Sequence, residues 1–137
     1  MKFGPNEIFY INEFEKITNA TAKDCIVEDS KITFVVKEKQ LPQAIGKNGA
    51  TVKRLSRVFG KSIEIFEHDA DPKKFLQKAF YNAKIDDVLM EEEEGRKNAV
   101  VEVDSENKRK IMQNTGRLRK IRELLKRMHG IESLRIR

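Results

Sequence analysis

At 137 residues, with a net charge of +6 and a pI near 9.4, the chain has room for one domain or two small ones, and its basic balance favours an anionic partner. A single cysteine, Cys25, excludes an internal disulfide and fits a reducing compartment. No apolar run approaches the ~20 residues of a membrane span. The opening MKFGPNEIFY lacks the apolar stretch and cleavage site of a signal peptide, so a soluble, cytoplasmic, monomeric protein is expected.

The first element in the chain is an amphipathic helix, with Asn6 as the expected cap and Ile8, Ile11, Phe14 and Ile17 along one side. Two strands follow, 22–28 and 31–38, joined by the turn-like Glu28-Asp29-Ser30. A short helix leads to Gly46-Lys47-Asn48-Gly49. A longer one then runs to Gly60, where a C′ glycine would end it, and the strand KSIEIFEH completes this half. The second half starts with Asp71 as N-cap and Pro72 at N1 of a helix striped by Phe75, Leu76, Ala79, Phe80 and Ala83. Strands 85–92 and 97–104 are joined through EEEEGRK. A short helix then meets a longer one that carries Leu118, Ile121, Leu124, Leu125 and Met128 as far as Gly130, and IESLRIR is the last strand.

The halves repeat at an offset of 66 residues, which pairs Phe9 with Phe75, Phe14 with Phe80, Val35 with Val101, Ile45 with Ile111, Val52 with Leu118 and Leu55 with Ile121. The predicted fold is α+β, in two tandem units, 1–69 and 70–137, each a three-stranded sheet covered on one face by three helices. Charge follows the repeat. Residues 39–61 hold six lysines and arginines and no acid. Residues 105–137 hold eleven against Glu106, Glu123 and Glu132, which leaves −8 on the rest of the chain.

Gly46 and Gly49 are three apart between helix-forming segments, and one glycine would suffice merely to end a helix. Two let a sugar-phosphate backbone pass without striking a Cβ. Lys47 and Asn48 would form the tip, with the N-terminus of the next helix aimed at it. Ile45, Val52 and Leu55 would offer an apolar floor for unstacked bases, and Lys53, Arg54 and Arg57 would add charge beside it. The arrangement describes a clamp for about four nucleotides of single-stranded nucleic acid.

AIGKNGATVKRL, preceded by KITFVVKE and followed by GKSIEIF, resembles a KH domain with its GxxG loop, and the leading helix of each half resembles the type II, prokaryotic arrangement. Two such units, opening EIFYINEFEKITNATAKDCIVED, resemble the archaeal NusA-like transcription factors over nearly the whole chain. The resemblance implies a non-catalytic protein that binds single-stranded RNA in transcription elongation, termination or antitermination, with RNA polymerase as a further partner. No cofactor and no metal site are expected. The second copy departs from the pattern. At the offset of 66 its loop is Met112, Gln113, Asn114 and Thr115, with neither glycine, whereas a one-residue slip recovers Gly116 but sets Arg119 against Val52. The unslid register keeps Leu118 and Ile121 in the core. There Arg117, Arg119, Lys120 and Arg122 would form a secondary basic surface that holds phosphates without a clamp.

Other readings are weighed on the same residues. GKNGAT matches neither GxxxxGK[ST] nor GxGxxG. His68, Asp69 and Asp71 form one acid–histidine cluster, with Asp71 already committed to capping. A helix-turn-helix DNA binder also joins two helices through a glycine turn, but needs a longer first helix and base-reading polar side chains on the second. A non-catalytic adaptor of RNA polymerase or a ribonucleoprotein is the third reading.

Overall fold

The computed structural model describes residues 4–137. The chain divides into two compact units, Met1–Asp69 and Ala70–Arg137. In the first, the order is α1 (Pro5–Thr18), β1 (Ala22–Val27), β2 (Lys31–Val36), α2 (Leu41–Ile45), a 3₁₀ turn (Lys47–Gly49), α3 (Ala50–Phe59) and β3 (Ser62–Glu67). In the second it is α4 (Pro72–Ala79), β4 (Asp87–Glu93), β5 (Arg96–Glu102), α5 (Ser105–Gln113), α6 (Thr115–His129) and β6 (Ile131–Ile136). Each unit has its own three-stranded sheet, β1-β2-β3 and β4-β5-β6, in which the first pair is antiparallel and the second parallel. A parallel pair needs a crossover. In both units the helix pair supplies it, so the helix–helix junction hangs at one end of the sheet.

The core of the first unit gathers Phe14, Cys25, Ile32, Phe34, Val36, Ala44 and Leu55, with the Phe14 and Phe34 rings stacked at 4.1 Å. Alternate residues of β2 reach this cluster, as a pleated strand requires. α1 begins at Pro5, whose fixed φ suits the first helical position, and Gly4 takes the cap that Asn6 was expected to fill. Ile8 is exposed, so the side of α1 that packs on the core starts at Tyr10 and Ile11. Two glutamines then dock α2 on the end of α1. Gln40 Oε1 accepts from Thr21 N–H (2.6 Å), and Gln43 Nε2 donates to the carbonyls of Thr18 and Asn19.

The repeat holds at the centre of each unit and drifts at its edges. Val35 pairs with Asp24 and Phe66, whereas Val101 pairs with Val88 and Ile136. The offset is therefore 66 on the central strand, 64 on the first and 70 on the last. The longer strands of the second hairpin, 7 residues each against 6, account for the drift of the first strand, and α6, with 15 residues against 10 in α3, for that of the last. Phe9 is consequently not the counterpart of Phe75, the first being 57% exposed and the second wholly buried. Phe14 and Phe80 are both buried, but Phe80 ends α4 where Phe14 lies within α1, and Ala83 falls outside the helix.

Candidate nucleic-acid interface

α2 stops after five residues because Gly46 leaves helical space, with φ 79° and ψ 168°, while its N–H still reaches Pro42 O at 2.9 Å. Lys47 starts a single 3₁₀ turn. Asn48 (φ 55°) and Gly49 (φ 74°) are both left-handed, and Gly49 N–H closes onto Gly46 O at 3.1 Å. Asparagine tolerates that region better than most residues, which explains its place at the tip. The two glycines serve different ends. A Cβ on Gly46 would lie 2.8 Å from the backbone N and the Cβ of Thr51, inside any ordinary contact. A Cβ on Gly49 would meet nothing within 4 Å. Gly46 is closed by the protein itself, and Gly49 opens onto solvent.

The tip residues Lys47 and Asn48 are exposed, and no side chain caps the start of α3. Its first N–H groups therefore face the loop without a protein acceptor from a capping side chain. Ile45 is 37% exposed and Val52 half-buried, so both offer apolar surface beside the tip. Lys53, Arg54 and Arg57 are exposed on the outward side of α3. Leu55 corrects the expected floor. It is fully buried in the core cluster, and its helical position points it at the sheet rather than at a ligand. Lys61 is committed too, with Nζ donating to the carbonyls of Glu28 and Asp29 in the β1–β2 turn.

The corresponding junction of the second unit is closed. Met112 and Gln113 belong to the last turn of α5, Thr115 starts α6, and Asn114 alone is non-helical, its Oδ1 accepting from Arg117 N–H at 3.2 Å. Gly116 lies inside α6 without a positive φ, so the slipped register has no loop to complete. Leu118 and Ile121 are buried, as the unslid register requires.

The KH domain family matches residues 10–70, which span the first sheet and its glycine loop. A protein of Methanocaldococcus jannaschii designated "Probable transcription termination protein NusA" is 32% identical over 131 residues, which are 95% of this chain and 72% of that one. The Methanococcus vannielii protein of the same designation is 31% identical over 137 residues, covering 99% and 79%. The chain belongs to the archaeal NusA-like KH proteins. The crystal structure of APE1850 superposes with a TM-score of 0.89 at 30% identity, over 98% of this chain and all of that one, so the two-unit fold is shared along its length.

Within this NusA-like fold, the four residues of the expected secondary basic surface differ in exposure and in partners. Lys120 is 4% exposed and donates to Glu123 at 3.0 Å. Arg117 donates from Nε and Nη2 to Ala79 O at 3.0 and 2.8 Å, and Arg122 reaches Leu134 O from the same two atoms at 3.4 and 3.2 Å. Arg117 and Arg122 tie α6 to its neighbours, Lys120 pairs within the helix, and Arg119 and Arg122 are exposed. The missed signal is on the acceptor side. Backbone carbonyls accept from Arg117 and Arg122, and a sequence does not show which carbonyls a helix will approach. Among the described residues no group of three or more His, Cys, Asp or Glu is placed to hold a metal ion, and no helix is long and apolar enough to cross a membrane.

Proposed function

We propose that the chain binds single-stranded RNA through the first glycine loop and acts, as a monomer, in transcription termination or antitermination, with RNA polymerase as its protein partner. The observation that carries this reading is the difference between the two glycines. One is sealed by Thr51, and the other leaves empty space beside an uncapped helix start and an exposed lysine. A nucleic acid backbone needs that space. The phosphate meets Lys47 and the N–H groups of α3, and the bases turn onto Ile45 and Val52, with Lys53, Arg54 and Arg57 flanking them. Leu55 supports the floor from below. The second unit, whose loop is closed, has no clamp in this reading. The relatives are designated probable transcription termination proteins, which supports an RNA ligand.

Duplex readout is less well served. α2 has only five residues, short for the first helix of a helix-turn-helix, and α3 leads into a parallel strand. The test compares single-stranded RNA with duplex DNA across a salt titration. With about three or four phosphates held, the log–log slope for RNA should be roughly −2 to −3, from about 0.7 per phosphate on a single strand. A preference for duplex DNA, or a flat salt response, would reject the clamp.

A further inference from the structure

The segment between α4 and β4 presents one aromatic ring in a rigid, basic setting. Tyr81 is 74% exposed, more than any other large hydrophobic side chain described. Its backbone is nevertheless fixed. Phe80 beside it is buried, and Ala83 N–H closes a turn onto Phe80 O at 3.1 Å. The turn is pinned at both ends, by Arg117 on Ala79 O and by Lys84 N–H on Asn107 Oδ1 at 2.9 Å. The Arg117 guanidinium carbon lies 4.9 Å from the Tyr81 ring centroid, so the arginine that anchors the turn also backs the ring. With one face against a cation, the ring's exposure belongs to its other face and edge.

The surroundings are polar and cationic. Lys110 and Asn114, with Phe80, Asn82 and Arg117, line a small recess beside the turn. Lys84 and Lys110 both act through space on Asp104, whose carboxylate is already committed to Asn107. No acid lines the recess. Arg117 backs the ring and Lys110 lines the recess beside the turn, a cationic setting that fits the π-face of a base next to a phosphate.

We infer that Tyr81, backed by Arg117, is a stacking platform for an unpaired nucleobase, with Lys110 meeting the adjoining phosphate. The second unit thereby contacts single-stranded nucleic acid without a glycine clamp, through residues that the closed junction at Asn114 leaves exposed. Rigidity favours this. A ring already held in place loses little conformational freedom when a base covers it. The platform is separate from the first loop, and each can fail without the other.

The test uses the full chain in a background that disables the first loop, Lys47→Asp with Asn48→Asp. Probes are a twelve-residue oligo(A) RNA and inorganic polyphosphate of similar charge. In that background Tyr81→Ala should weaken oligo(A) binding by roughly 5- to 20-fold, within the range found for removing one stacked aromatic. Tyr81→Phe should stay within about twofold, and polyphosphate binding should not change. The chain has no tryptophan, so Tyr81→Trp places a single indole emitter on the platform, and oligo(A) should quench it with the midpoint of binding. Unchanged oligo(A) affinity in Tyr81→Ala, an equal loss for polyphosphate, absent quenching, or no oligo(A) binding in the background would each overturn the platform. The clamp is read separately, from tetranucleotide binding by the unmodified loop.

Discussion

At the residue scale, the GxxG spacing was legible and the division of labour within it was not. Both glycines look alike in sequence, and only the position of Thr51 shows that a Cβ is excluded at Gly46, while Gly49, also left-handed, has open space beside it. The two should separate by experiment. Gly46→Ala forces a Cβ against the Thr51 backbone, so melting temperature and RNA affinity should fall together. Gly49→Asn keeps a residue that tolerates left-handed backbone, at a folding cost of about 1 kcal/mol or less, but puts a side chain into the open path. Its melting temperature should stay within a few degrees while affinity for a tetranucleotide drops at least about tenfold. Parallel losses in both variants would make the loop a folding element only. Charges show the same limit of legibility. Lys53, Arg54 and Arg57 can be read as exposed from helical period, but nothing in the pattern reveals that Lys61, Arg117 and Arg122 are held by carbonyls.

At the scale of elements, period and punctuation placed nearly every helix and strand, because caps and glycines carry local physics. Asp71 accepts from Lys73 N–H, and Gly60 and Gly130 are left-handed where α3 and α6 stop. Lengths were less legible. The β4–β5 connection is only Glu94-Gly95, both at positive φ, so the strands run further into the acidic tract than its charge implied. α4 ends early at the pinned turn, and α5 runs through the positions where the first unit has its loop. The start of α5 shows how such a joint is held. Asp104 Oδ1 accepts from Asn107 N–H and Nδ2, and Asn107 Oδ1 receives Lys84 N–H. Hydrogen bonds from Asn107 hold the Asp104 carboxyl below its ordinary value of 3.8, with smaller help from Lys110 and Lys84. A depressed folded-state pKa stabilises above the unfolded value and is lost as pH falls through the folded one. Asp104→Ala should therefore lower the melting temperature near neutral pH, and its difference from the parent chain should shrink as pH drops below about 4. A difference that stays constant down to pH 2 would show that the carboxylate charge contributes nothing there.

At the scale of the molecule, duplication was plain in the sequence, while the unequal fate of the copies follows from one helix junction. The first unit spends four residues between α2 and α3, three of them at positive φ, whereas the second spends Asn114 alone. Two glycines at 46 and 49 permit the wide junction, and their loss lets α5 extend until Asn114 can cap α6 directly. Absence of the wide glycine junction and gain of a cap are thus the same change. A matched pair of double variants tests this. Gln113→Asp with Asn114→Asp alters exposed positions, and aspartate caps as well as asparagine, so the fold should hold. Affinity for a four-residue RNA should be unchanged within about twofold, because such a ligand fills only the first loop, and longer RNAs should lose only what two added negative charges cost. Lys47→Asp with Asn48→Asp adds the same two acids and also removes a lysine at an open loop, so tetranucleotide binding should fall by well over tenfold. Both pairs are compared by melting temperature and by titration with RNAs of four to twelve residues. Equal losses at every length would mean that the junction at Asn114 opens to take RNA as the first loop does, and the copies would have to be counted as two working clamps.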